Sequence, residues 1–393
     1  MSLRGRYGRY SAGPEQDALV PPVLHGSTYV VDSAQELADL LDGSREGYSY
    51  ARIDSPTADA FAAAVAEAEK PAGAPVRGQA FASGMAAIST TLLALLNPGD
   101  QVVAAASCYG GTYQLLRGTL ARFGVATTFA DQTDPAAMAR SMTDRTRVVW
   151  VESFANPTML MADIPALSAV AADRGALLAV DSTFASPAMI RPLEWGADLV
   201  VHSATKYLGG HSDATGGVVI GRPELLRRIR AARVELGPVL APDEAYLLHR
   251  GLATLDVRVA RQCATAATLA AALVDHPALA RVEHPSLPGH PSHEVALRLC
   301  DNGRYGGVLA LSPPGDRAAG MAFCDRLRTI PQATSLGGTH TTASHAASSS
   351  HRQFDDAALA AAGLLPSLVR LSVGLEDPAA LLEDLMHALD SLR

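Results

Sequence analysis

The rhythm of apolar runs between residues 61 and 240 constrains this chain more than any other feature. Five short runs, QVVAAAS, TRVVWVES, ALLAVDST, ADLVVHSAT and GGVVIG, are bounded by turn residues and alternate with helical patterns such as PTADAFAAAVAEAE. Near-continuous apolar runs suit strands buried on both faces, and a helix between successive strands lets them lie parallel. The expected fold is therefore α/β, a mostly parallel sheet covered by helices. With 393 residues, 48% of them hydrophobic, the chain has enough apolar surface for two or three domains. The expected division is an N-terminal arm over 1–60, a large domain over 61–246 and a smaller α+β domain over 247–393. Residues 1–60 are rich in Gly, Pro and Tyr with little periodicity, so the arm needs another surface, which a neighbouring subunit of a symmetric oligomer supplies. Residues 243–276 read as one long helix or two nearly continuous ones. Beyond them, strand-like GGVLALS and SLVRLSVG accompany helical MAFCDRLRT and PAALLEDLMHALDSL, and TTASHAASSSHR at 341–352 reads as a mobile loop near a site.

A net charge of −8, with no basic run longer than the LLRRIRAAR helix, argues against nucleic acid or an anionic membrane as partner and for a small molecule. MSLRGRYGRYSAG is basic but lacks an apolar leader core, and no stretch approaches the roughly 18 apolar residues of a membrane span, so a cytoplasmic location is expected. Cys108, Cys263, Cys300 and Cys324 are far apart and show no metal-ligand spacing, which implies reduced thiols and no metal. HPSLPGHPSHE at 284–294 reads as a rigid surface loop rather than a ligand set.

Lysine is the rarest cation here. Lys70 and Lys206 are the only lysines among 32 basic residues, so a lysine where arginine is the default suggests a need for an amine that can lose its proton. Lys70 ends an alanine-rich helical stretch and reads as a solvated charge. Lys206 follows the apolar DLVVHSAT and precedes Gly209 and Gly210, as at a strand end beside a close-packed site. Ligands of open α/β sheets collect at such ends. One strand ends in Asp181, the next carries Ser203 and Thr205 on one face before Lys206, and an earlier one runs into Cys108-Tyr109-Gly110-Gly111. Ser83-Gly84-Met85 opens an apolar helix whose first amides can hold a phosphate. Together these parts suit pyridoxal 5′-phosphate: lysine for its aldehyde, a carboxylate for its ring nitrogen, an aromatic face for its ring and a helix end for its phosphate. The glycines follow the lysine and no GxxxxGK[ST] occurs, which argues against a nucleotide hydrolase. A non-catalytic binding scaffold is the alternative class.

The chain resembles the Cys/Met-metabolism family of fold-type I pyridoxal-phosphate enzymes over nearly its whole length. The resemblance is most specific in DSTFASPAMIRPLEWGADLVVHSATKYLGGHSDATGG at 181–217, and YARIDSPT, SGMAAI, CYGGTY, ESFANPTM, SLGG and RLSVGLED follow the family order. It implies a homotetramer built as a dimer of dimers. By resemblance Lys206 bonds the cofactor, Asp181 partners the pyridine nitrogen, and Tyr109 stacks on the ring and assists the leaving group. Gly84, Met85, Ser203 and Thr205 match phosphate contacts, and Thr183 counts with the cofactor residues. Tyr50 and Arg52 match the pair that reaches the adjacent subunit's phosphate. Arg370 matches the clamp on the substrate carboxylate, where a planar guanidinium fits bidentately, and Asn156 and Ser335 match the substrate side.

Some positions depart from the family. Ser55 and Ser182 stand where asparagine is usual, Gln114 where cystathionine-using members carry arginine, Thr334 where cystathionine lyases carry glutamate, and Gly111 where methionine γ-lyases place cysteine. Gln114 and Thr334 are still counted on the substrate side. The expected reaction is γ-elimination on a sulfur amino acid, methionine first, with cystathionine γ-lyase, γ-synthase or O-acylhomoserine sulfhydrylase activity as alternatives.

Overall fold

Valine, isoleucine and leucine side chains fill both faces of the central strands, and that two-sided burial places them inside a seven-stranded sheet. The computed structural model describes residues 10–13, 16–352, 355–361 and 363–392. The strands are β1 (Arg77–Phe81), β2 (Gln101–Ala105), β3 (Ala126–Ala130), β4 (Thr146–Glu152), β5 (Leu177–Asp181), β6 (Leu199–Ser203) and β7 (Gly217–Gly221). Their order is β1-β7-β6-β5-β4-β2-β3, and β7 runs antiparallel to both its neighbours while β2 to β6 pair in parallel. Alternation splits the core in two. Val149, Val151, Val180 and Val200 pack on one face with Phe61 and Leu167; Trp150, Ala179, Leu199 and Val201 pack on the other with Leu92 and Ile229.

The five apolar runs all lie in this sheet, as β2, β4, β5, β6 and β7. The two strands without such a run, β1 and β3, are its edges, where one side is solvated and residues such as Arg77 and Thr127 are tolerated. A second, smaller domain holds an antiparallel sheet of β8 (Arg281–Glu283), β9 (Val308–Ser312), β10 (Thr342–His345) and β11 (Val369–Ser372), ordered β8-β9-β11-β10. The helices Leu255–Leu273 and Pro378–Asp390 cover it.

Three local expectations are corrected. Residues 341–352 begin as edge strand β10 rather than a mobile loop, because a short strand of small polar residues leaves no apolar signature. The 284–294 segment is not a surface loop: His284 and His290 are buried, with Nε2 of each 3.0 Å from a main-chain carbonyl, Gly306 O and Thr158 O. The arm carries a hairpin of Tyr10–Gly13 with Gln16–Ala18 and a helix Ala34–Asp42 capped by Ser33, while residues 1–9, 14 and 15 lie outside the described residues. Residues 243–276 form two helices, Pro242–Leu252 and Leu255–Leu273. Among the described residues no helix is long and apolar enough to cross a membrane.

One buried polar contact locks a helix to the sheet. Glu69 ends the helix Pro56–Glu69, and its Oε1 lies 2.7 Å from Nε2 of His202 on β6, both side chains being almost fully enclosed. Removing one partner of such a pair strands the other, at a cost of about 3–5 kcal/mol. Glu69→Ala should lower unfolding stability in urea by that amount, whereas Lys70→Ala, which removes an exposed partner of Glu67, should change it by less than about 0.5 kcal/mol.

Candidate active site

The C-terminal ends of β4, β5 and β6 define the site, because in-register parallel pairing brings Glu152, Asp181 and the Ser203–Lys206 segment to one edge. Asp181 is buried, and its Oδ1 accepts the Thr183 N–H at 3.1 Å and the Thr183 O–H at 2.5 Å. Thr183 Oγ1 in turn accepts the Ser203 N–H at 2.8 Å, tying β5 to β6. Burial pushes the Asp181 carboxyl up, while the Thr183 donors and His202 pull it back down.

Beside Ser203 lies the start of the helix Gly84–Leu95. Ser83 caps it by accepting the Ala86 N–H at 3.1 Å, and the first-turn N–H groups of Gly84 and Met85 remain outside the helical ladder. Only glycine fits at 84: a Cβ there would stand 2.6 Å from Ser203 Cβ and 2.8 Å from its Oγ. That close approach joins the helix amides and the Ser203 hydroxyl in one donor cradle. Thr205 is tied elsewhere, its Oγ1 accepting the Gly216 N–H at 3.1 Å.

Lys206 follows directly. Its Nζ donates to Ser335 Oγ at 2.7 Å, from a turn in which Ser335 holds a left-handed φ of 78°, a backbone region that costs a non-glycine residue. Desolvation, then the charge of Arg370, lowers the Lys206 ammonium to about 8. Arg370, on β11, is buried; its Nη2 donates to Ser335 O at 2.6 Å and its Nη1 to Asn156 Oδ1 at 3.1 Å, and its Nε is buried without a partner. Desolvation lowers this guanidinium to about 10. Lys206, Ser335, Arg370 and Asn156 thus form one connected polar set.

Tyr109 is half exposed and caps the short helix Gly110–Gln114. Its ring folds over Gly111, where a Cβ would lie 2.6 Å from Tyr109 Cε1 and 2.9 Å from Met85 Sδ, so Tyr109 and Met85 meet at that gap. Other expected residues stand apart. Gln114 and Thr334 are exposed at the periphery. Tyr50 and Arg52 also face solvent, Arg52 donating to Val234 O at 2.6 Å and lying 5.6 Å from the Tyr50 ring centroid; no described contact links them to Lys206. Sequence reasoning missed Glu152 and the Glu69–His202 pair, because one acidic residue in an apolar strand carries no signal until its neighbours are known.

The donor set fits a phosphorylated pyridine aldehyde. Unpaired helix amides and a hydroxyl suit the phosphate, buried Asp181 suits the ring nitrogen, and Lys206 offers an amine that loses its proton readily.

The lowered Lys206 pKa has a stability consequence. The folded chain releases this proton at about 8 and the unfolded chain near 10.5, so the unfolded state binds more protons between those values. Stability contributed at this site should rise as pH climbs from about 8 to 10.5, and the cost of the buried ammonium is fully present below that window. Urea unfolding of the protein and of Lys206→Met across this range should show that rise only in the former.

Comparison with known proteins agrees with this geometry. The model of the family described as Cys/Met metabolism PLP-dependent enzyme matches residues 7–390. An L-methionine gamma-lyase of Pseudomonas putida is 41% identical over 99% of this chain and 96% of its own. A cystathionine gamma-synthase of Mycobacterium bovis is 39% identical over 99% and 96%. A crystal structure of a putative O-acetylhomoserine (thiol)-lyase from Campylobacter jejuni, solved with N′-pyridoxyl-lysine-5′-monophosphate, superposes with a TM-score of 0.92 at 28% identity, covering 99% of this chain and 98% of that one. The chain belongs to the family of Cys/Met metabolism PLP-dependent enzymes.

Proposed function

We propose that the protein eliminates the γ-substituent of a sulfur amino acid, L-methionine first, yielding methanethiol, 2-oxobutanoate and ammonia with uptake of one water. The observation that carries this reading is Arg370: a buried guanidinium with an unpartnered Nε, joined to Lys206 through Ser335, suits an α-amino acid whose carboxylate and amine must be held a few ångströms apart. Pyridoxal phosphate, when bound, supplies the electron sink that makes the α and β protons removable. Gly84, Met85 and Ser203 would hold its phosphate, joined by the Thr205 hydroxyl only if it turns from Gly216, Asp181 would partner its ring nitrogen with Thr183 orienting the carboxylate, and Lys206 would bond its aldehyde. Lys206 Nζ would serve as the base for the α proton, and an amine that titrates at about 8 suits that task near neutral pH. Tyr109 would cover the ring face and protonate the departing thiolate. Asn156 holds Arg370 in the plane that receives the carboxylate.

In this reading the chain divides into an arm (1–60), a cofactor domain (61–246) and a C-terminal domain (247–393), and works as a cytoplasmic homotetramer. Tyr50 and Arg52, exposed here, then reach a neighbour's phosphate, and exposed apolar arm residues such as Leu19 and Val30 gain cover. Gln114 and Thr334 are neutral, which favours methionine over cystathionine, whose distal amino-acid end needs charged partners. The cystathionine gamma-synthase relative keeps γ-replacement as the second reading.

Purified protein supplied separately with methionine, cystathionine, and O-acylhomoserine plus sulfide, scored for thiol, oxo acid and new thioether, decides among these. Methionine should give methanethiol and 2-oxobutanoate; rapid cystathionine turnover without methionine cleavage overturns the substrate assignment. Arg370→Ala should raise KM for the amino acid by about a hundredfold, the loss of a charge-assisted bidentate contact, and leave the absorbance of the bound cofactor in place.

A further inference from the structure

Glu152 closes β4 directly beside Asp181, its in-register partner on β5, and is 4% exposed. Its Oε1 accepts the Tyr109 main-chain N–H at 2.5 Å. Its own N–H donates to Gln132 Oε1 at 2.9 Å. One carboxyl therefore touches the loop that carries Tyr109 and lies beside the strand end that carries Asp181. Among the described residues no ion pair includes Glu152.

Adjacent strands lie about 4.8 Å apart, so two buried carboxyls share one strand-end region, and ionising both there adds mutual repulsion to the cost of desolvation. The surrounding groups decide which one keeps the proton. Thr183 gives Asp181 two donors and His202 favours its charged form; Glu152 receives the Tyr109 N–H but is enclosed beside Asp181. Burial and the Asp181 charge outweigh the main-chain N–H groups that favour its charged form and push the Glu152 carboxyl well above the usual range. Resting on the reading of Asp181 as the ring partner, we infer that Glu152 is a positioning residue that works as a neutral carboxylic acid, fixing Tyr109 through its amide and leaving the strand-end negative charge to Asp181.

A neutral amide can replace a neutral acid; an anion it cannot. In the full chain, with and without added pyridoxal phosphate, the infrared difference between wild type and Glu152→Gln should contain a protonated-carboxyl C=O band at neutral pH that shifts in D2O. Glu152→Gln should also keep the slow exchange of the Tyr109 amide and the absorption maximum of the bound cofactor between about pH 6 and 9. Glu152→Ala, with its circular dichroism unchanged, should speed that exchange and lower kcat about tenfold with KM little altered, as expected when an alignment rather than a binding contact is lost. A carboxylate band alone contradicts the inference, and so does a Glu152→Gln protein that unfolds or behaves like Glu152→Ala. The infrared and exchange readings need no turnover, so they stand or fall separately from the substrate assignment, which fails instead if the wild type takes up cofactor and cleaves none of the three substrates.

Discussion

A primary amine held out of water beside a guanidinium is the constraint on which the rest of this structure depends. Burial disfavours the charged amine and the Arg370 charge adds repulsion, so the neutral amine is the form that relieves both. Everything near Lys206 serves to keep it there. Ser335 adopts an unfavourable backbone angle and accepts a hydrogen bond from Lys206 Nζ, Arg370 is fastened by Ser335 O and Asn156 Oδ1, and the sheet edge beneath supplies acceptors rather than further cations. An arginine at 206 would retain its charge at any physiological pH, which accounts for a lysine in a chain that otherwise uses arginine.

Parallel pairing is what assembles these groups from distant parts of the sequence. β4, β5 and β6 end at one level, so residues 152, 181 and 203–206 become neighbours although some 50 positions separate the first from the last. Close packing then sets the depth. Gly84 and Gly111 have no Cβ, and in the gaps they leave, the helix Gly84–Leu95 meets Ser203, and the Tyr109 ring and Met85 Sδ both approach Gly111. The carboxyl of Glu152 joins the Tyr109 loop to the strand end beside Asp181.

Much of this was legible beforehand because apolar continuity marks strands buried on both faces. β2 and β4 to β7 could be read directly, and with them the strand-end residues Asp181 and Lys206. β1, β3 and β10 could not, since edge strands accept Arg77, Thr127 and Ser344 without penalty. His284 and His290 look like surface residues among prolines, yet each finds a main-chain carbonyl after folding, a satisfaction no spacing rule announces. Glu152 was invisible for a related reason: its meaning comes from Asp181, 29 positions later and one strand away. Tyr50 and Arg52 are recognisable in sequence but are isolated within one chain, as residues whose partners belong to another subunit would be.

The central claim is that Lys206 carries the cofactor. Borohydride reduction of the protein with pyridoxal phosphate, followed by proteolysis and mass spectrometry, tests it directly because the reduced bond is permanent and Lys70 is an internal control. The account predicts the pyridoxyl mass on the peptide that contains Lys206 and none on Lys70. A label on Lys70 alone, or a Lys206→Ala protein that still shows the visible absorbance of the bound cofactor, would contradict it.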